Sequence, residues 1–109
     1  MFLYRLRDND EDIVTYEDFI ITEESVGKLI KDSVEFFAYT CGSAYENIAE
    51  ILESGDLDLS KYDSKLVKFL NSHLEDDITI LGNATEFALE VLQENNIKVF
   101  KFEEINIWY

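Results

Sequence analysis

The spacing of apolar positions changes several times along the chain. Met1–Arg7 (MFLYRLR) alternates loosely between apolar and polar residues, and Ile13–Thr22 (IVTYEDFIIT) is rich in β-branched and aromatic types. Both read as strands, paired as a hairpin with the acidic stretch Asp8–Asp12 between them. From Thr22 the period lengthens. Val26, Leu29, Ile30, Ser33, Val34 and Phe37 recur at spacings of three and four, which predicts a helix over about Glu23–Tyr39 ending near Gly42.

Ser43-Ala44-Tyr45-Glu46 has the spacing of a capping box and predicts a second helix. Tyr45, Ile48, Ala49 and Leu52 would face inward, and Gly55 would end it. Asp63 is suited to cap a third helix, with Leu66, Phe69, Leu70 and His73 or Leu74 on its inner face. Ile78–Leu81 reads as a short buried strand. Asn83-Ala84-Thr85-Glu86 opens a fourth helix with Phe87, Ala88, Val91 and Leu92 inward, closed by Asn95-Asn96. Ile97–Phe102 and Ile105–Tyr109 read as a bent strand or a hairpin. Strands at both ends around a helical middle predict an α+β fold: a small, mostly antiparallel sheet from N- and C-terminal strands plus a central strand, packed against about four helices. The segment from Ile78 to Phe102 could form a right-handed parallel crossover.

The chain has 109 residues, and no linker or repeat interrupts it, so one domain over 1–109 is expected. Apolar residues make up 47%, enough for a core in spite of the charge. No apolar run approaches the roughly eighteen residues that cross a bilayer. Acids at 8, 10, 11 and 12 stand where a signal peptide would continue its apolar stretch, so a cytoplasmic location is expected. Cys41 is the only cysteine, which excludes an internal disulfide and a thiolate zinc cluster and leaves a small packed residue as the simplest role.

Charge changes the picture most. Twenty-four acids against nine bases leave a net −15 at pH 7. Free nucleic acid and anionic membranes would be repelled, whereas a basic protein would be drawn in. The acidic run at 8–12 starts like a calcium loop, with Asp8, Asp10 and Asp12 at the first, third and fifth positions. Ile13 then stands where glycine is needed and Phe19 where the bidentate glutamate belongs. Asp56-Leu57-Asp58-Leu59-Ser60 fails the same way, at Lys61 and Val67. No metal or other cofactor is implied. Catalysis is not expected either: His73 is the only histidine, no serine or cysteine can be assigned to it, and the four glycines are isolated.

The helical acids form the more informative pattern. Glu86, Glu90 and Glu94 fall at successive turns of the fourth helix, and Glu46, Glu50 and Glu53 along the second, with no base inside either segment. Four residues rise about 6 Å along a helix, against about 3.4 Å between phosphates of one nucleic-acid strand measured along its axis. With Asp8, Asp10, Glu11 and Asp12, these acids are the candidate partner-binding surface. Solvation alone is the competing reading, since glutamate is a good helix former. Tyrosines and Trp108 supply interface-type aromatics, and the Asn106–Tyr109 edge offers a route to a homodimer.

In size and charge alone the chain resembles the small acidic inhibitors of phages and mobile elements, the DNA-mimicking anti-restriction and anti-CRISPR proteins, and also toxin immunity proteins. That resemblance implies an inhibitor occupying the basic nucleic-acid-binding surface of a nuclease or related complex. The alternatives are an immunity protein against a basic nuclease toxin and a plain acidic cytoplasmic adaptor.

Overall fold

A computed structural model describes residues 1–10, 13–40, 45–77 and 82–100. Its order is β1 (Phe2–Asp10), β2 (Ile13–Thr22), α1 (Gly27–Thr40), α2 (Ile48–Glu53), a short 3-10 turn (Leu59–Lys61), α3 (Ser64–Ser72), α4 (Ala84–Glu94) and β3 (Val99–Phe100). The fold is α+β, with a three-stranded antiparallel sheet in the order β1-β2-β3. The expected strand at 78–81, the crossover that would use it, the 105–109 edge and Cys41 lie outside the described residues.

The hairpin is longer than its alternation suggested. Asp8 pairs with Tyr16 and, after a register shift, Asn9 with Val14 and Asp10 with Ile13, so Asp8 and Asp10 belong to β1 and not to a connecting loop. Pairing of Tyr4 with Ile20 and of Phe2 with Thr22 places these residues on the face that meets the helices, where Leu6, Ile20 and Thr22 are buried. Leu3, Arg5 and Arg7 share the opposite face with Ile21, Phe19 and Glu17. There the Arg5 guanidinium lies 5.6 Å from the centre of the Phe19 ring. Cross-strand pairs of this kind stabilise two-stranded ribbons.

Helix α1 starts at Gly27 instead of Glu23, and the reason lies in β1. The Val26 N–H donates to the Tyr4 hydroxyl at 2.8 Å, and the Thr22 hydroxyl donates to the Glu24 carbonyl at 2.6 Å. These bonds hold residues 23–26 as a turn, and the first helical bond runs from the Ile30 N–H to the Val26 carbonyl. The Tyr4 ring closes the corner: a Cβ on Gly27 would stand 3.3 Å from it.

Helix α2 also begins later than expected. Its cap is Asn47, whose side-chain oxygen accepts from the Glu50 N–H at 3.0 Å, while the Glu50 carboxylate accepts from the Glu46 N–H at 2.9 Å. Ser43 and Asn47 match the capping spacing equally well. Starting at Ile48 buries Ile48 and Ile51 and lets the Ile48 and Ala49 N–H groups donate to the carbonyls of Asp76 and Leu74. Those two first-turn donors would otherwise lack partners. Glu46 is thus outside the helix. Asp63 and Asn83 cap α3 and α4 as their positions predict, accepting from the N–H groups of Lys65 and Glu86 at 2.9 Å each.

The core lies between α1, α3 and α4 and the inner face of the sheet. Phe87 of α4 is fully buried at its centre, with ring-centre distances of 5.9 Å to Phe36, 5.8 Å to Phe37 and 5.6 Å to Phe69. Phe36 falls outside the apolar stripe read for α1, yet it is fully buried because Tyr62 and Phe87 both cover it. Between α1 and α3, buried Asp32 accepts from Lys28 Nζ at 2.6 Å and from the Asp63 N–H at 2.8 Å. Asp32 was not singled out from its spacing.

Candidate functional site: the acidic helices

On α4 the expected stripe is present. Glu86, Glu90 and Glu94 are exposed, and all lie within the helix. Their carboxylates are not equivalent. Glu86 folds back over Gly82, where an added Cβ would fall 1.7 Å from Glu86 Oε2, so its charge sits at the positive end of the helix. Gly82 has φ +79, which a side chain would also resist. Glu94 sits at the opposite end, where a negative charge opposes the helix dipole. His73 offsets that cost, with Nε2 2.5 Å from Glu94 Oε1.

His73 is the C-cap of α3 and not an interior position of it. Its ring stacks on Phe69 at 4.4 Å between centres, Nδ1 meets Asp76 Oδ2, and Nε2 meets Glu94. A neutral imidazole has one donor nitrogen and one acceptor. Two ionised carboxylates, one on each nitrogen, therefore call for the doubly protonated ring. Burial pushes the His73 pKa down, but the hydrogen bonds and charges of Asp76 and Glu94 outweigh it, and the net shift is upward.

The sign of the pH dependence follows. The stability contributed by this charged ring is fully present below the ordinary histidine value of about 6.5 and is lost as pH rises through the higher folded value. Both carboxylates are nearly half exposed, at 48% and 42%, so screening limits the contribution to about 1 kcal/mol. Urea unfolding of the wild type should show this decline on going from pH 6 to pH 9, while His73→Gln should be nearly flat over the same window. An equal decline in the variant would refute this role.

The bonds at His73 also join the two groups of acids. The segment after α3 holds the first turn of α2 through the Leu74 and Asp76 carbonyls, and it reaches α4 through Asp76, His73 and Glu94. The bonded link therefore runs from the first turn of α2 through Asp76 and His73 to Glu94, and Glu46, Glu50, Glu53, Glu75 and Glu90 are exposed on or beside the elements it joins. Glu75 and Asp76 were missed because they belong to no helical stripe; only the fold links their segment to α2 and, through His73, to α4. The regular spacing read for the second helix does not hold. Only Glu50 and Glu53 lie in α2, and the Glu50 carboxylate is turned back to the Glu46 N–H. In β1, Asp8 and Asp10 are placed by backbone pairing alone, and Glu11 and Asp12 lie outside the described residues. Lys65 and Lys68 are exposed on α3, which packs beside α4, so one flank of the surface is basic.

Chemically, this arrangement suits electrostatic contact. His73 has both nitrogens committed, which leaves it no lone pair for general-base work. Asp76 and Glu94 address opposite edges of its ring and so cannot share one metal ion with either nitrogen. The second stretch weighed as a cation loop is a capping turn: Asp58 Oδ1 accepts from the Ser60 N–H at 3.1 Å and its hydroxyl at 2.5 Å, and Asp56 accepts from the Tyr45 hydroxyl at 3.1 Å. Its hydrogen bonds with Ser60 lower the Asp58 pKa.

No family model, curated protein or solved structure matches this chain. Among the described residues, no helix is long and apolar enough to cross a membrane.

Proposed function

We propose that the protein is a cytoplasmic binding protein, not an enzyme, that lays its acidic surface into the basic nucleic-acid-binding cleft of a target protein and blocks it, as a DNA-mimic inhibitor does. One observation carries this reading: the exposed Glu86, Glu90 and Glu94 stripe of α4, linked through His73 and Asp76 to the first turn of acidic α2, with no base inside either helix. Such a field steers a basic partner into contact and weakens steeply with salt.

The first test is retention of proteins from a lysate on the immobilised chain at low salt, followed by elution at high salt and competition for the captured protein's nucleic acid. A basic nuclease or nucleic-acid-binding complex that elutes with salt and loses its nucleic acid supports the reading. The double variant Glu53→Gln/Glu90→Gln should weaken that complex about tenfold, mainly through slower association, while Glu24→Gln in the turn before α1 should not. Equal effects of the two variants would reject the surface.

Glu50, Glu86 and Glu94 turn to partners within the molecule, so the outward charges do not form an evenly spaced track. That favours, as a second reading, an immunity-type contact in which a few acids surround one anchoring aromatic. Exchanging acidic positions at constant charge separates the two. A cleft-tracking mimic should weaken wherever the exchange is made, a hot-spot interface at one or two positions.

A further inference from the structure

A second surface, with an excess of basic residues, lies between β1 and α1. Strand β1 is the outer strand of the sheet, and among the described residues its outward edge pairs with no other strand. A groove of about 500 Å3 runs between that edge and α1. Leu6, Ile30 and Val34 give it an apolar floor, while Arg5, Arg7 and Lys31 line it against one acid, Glu35, among the described lining residues. Lys31 lies 4.0 Å from Glu35, and with Glu17 beside the arginines three bases meet two acids, a local excess of positive charge in a chain of net charge −15. Arg5 and Arg7 share Glu17 at 3.5 and 3.9 Å, yet their side chains remain 56% and 44% exposed. At the start of the same strand Met1, Phe2 and Leu3 are exposed at 83%, 42% and 63%.

An open strand edge offers unpaired backbone donors and acceptors, and an adjacent groove accepts alternate side chains of whatever pairs with it. We propose that this edge binds an extended acidic segment of a partner protein, added as a further strand beside β1. Acidic residues at alternate positions would lie by Arg5 and Arg7, and the apolar residues between them would face Ile30 and Val34.

A second copy of this chain is the competing occupant, and the charges disfavour it. Two-fold antiparallel pairing of β1 with itself sets odd residues against odd. Registers centred on Arg5, Leu6 or Arg7 then place arginine opposite arginine, and like charges directly opposite are destabilising. The same arginines favour an acidic strand.

The test is a titration of the nitrogen-15-labelled full chain with an acetylated, amidated peptide of alternating valine and aspartate. The controls are an alternating valine–lysine peptide and one with the valines and aspartates in separate blocks. The expected result is amide shifts confined to Phe2–Arg7 and Ile30–Glu35, with slowed hydrogen exchange at alternate β1 amides and at least tenfold weaker binding of both controls. Lys31→Glu, which leaves the sheet untouched, should weaken the aspartate peptide several-fold. Arg5→Glu/Arg7→Glu should reverse the preference between aspartate and lysine peptides. Three results would overturn the proposal: equal response to the lysine peptide, shifts scattered away from the groove, or outward β1 amides already protected in the free chain, including by a dimer seen in sedimentation.

Discussion

Phe87→Ala should lower the unfolding free energy by about 4 kcal/mol, within the usual range for truncating a buried phenylalanine. Phe87 is fully buried, and its ring meets those of Phe36, Phe37 and Phe69 at centre distances of 5.6–5.9 Å. Truncation removes the ring contacts of two α1 residues and one α3 residue together. The helices α1 and α3 that face the ring leave little room for collapse, so the cavity cost adds to the lost transfer energy. A domain of this size has a total stability of roughly 5–15 kcal/mol, so the variant should be marginal at 37 °C. Phe87→Leu keeps most of the volume and should cost about 1–2 kcal/mol. Urea unfolding followed by circular dichroism measures both. A loss under about 2 kcal/mol for Phe87→Ala would mean that the aromatic cluster does not hold α1 to α4.

Asp32→Ala should cost about 2 kcal/mol, a large effect for a single carboxylate. Asp32 is buried at 6% exposure and accepts from Lys28 Nζ and from the Asp63 N–H, the residue that caps α3. The two partners are affected differently when the carboxylate goes. Lys28 is 61% exposed and can hydrate, while its other bond, to the Lys61 carbonyl at 3.0 Å, is kept. The Asp63 N–H is only partly buried but loses a charge-assisted acceptor, and that is where the cost falls. Asp32→Asn retains an acceptor and should lose about half as much, and Lys28→Met about 0.5 kcal/mol, as expected for an exposed ion-pair partner. The order Ala, Asn, Met, measured by urea unfolding, distinguishes a backbone anchor from a simple ion pair. Equal losses for Asp32→Asn and Lys28→Met would favour the ion pair.

Local spacing carried much of the fold. Asp63 and Asn83 open α3 and α4 where capping chemistry places them, and the buried faces of α3 and α4 follow the period of three and four. The hairpin and the α+β class were legible for the same reason, because alternation and periodicity are properties of neighbouring residues. The failures have a shared physical cause. The start of α1 is set by Tyr4, far upstream; the choice of Asn47 over Ser43 is set by carbonyls at 74 and 76; and Phe36 is buried by Tyr62 and Phe87. Each was decided by a tertiary partner that spacing cannot reveal. The candidate site shows the same division. The α4 glutamates were readable as a stripe, whereas the capture of Glu94 by His73, and the link from Asp76 to α2, exist only once the helices are packed.

The pairing of β2 with β3 brings Thr22 to Val99, and the aromatic cluster brings α1 to α4. Both contacts close loops of some fifty residues or more, so the entropy of closure is met only when the ends arrive together. Between them lies nearly everything else in the chain. A fragment that stops before α4 removes Phe87 from both Phe36 and Phe37, and one that starts after β2 lacks the strand with which β3 pairs. Truncation libraries would therefore report lost folding as lost binding. The proposed acidic and basic surfaces have to be mapped by substitutions in the intact chain.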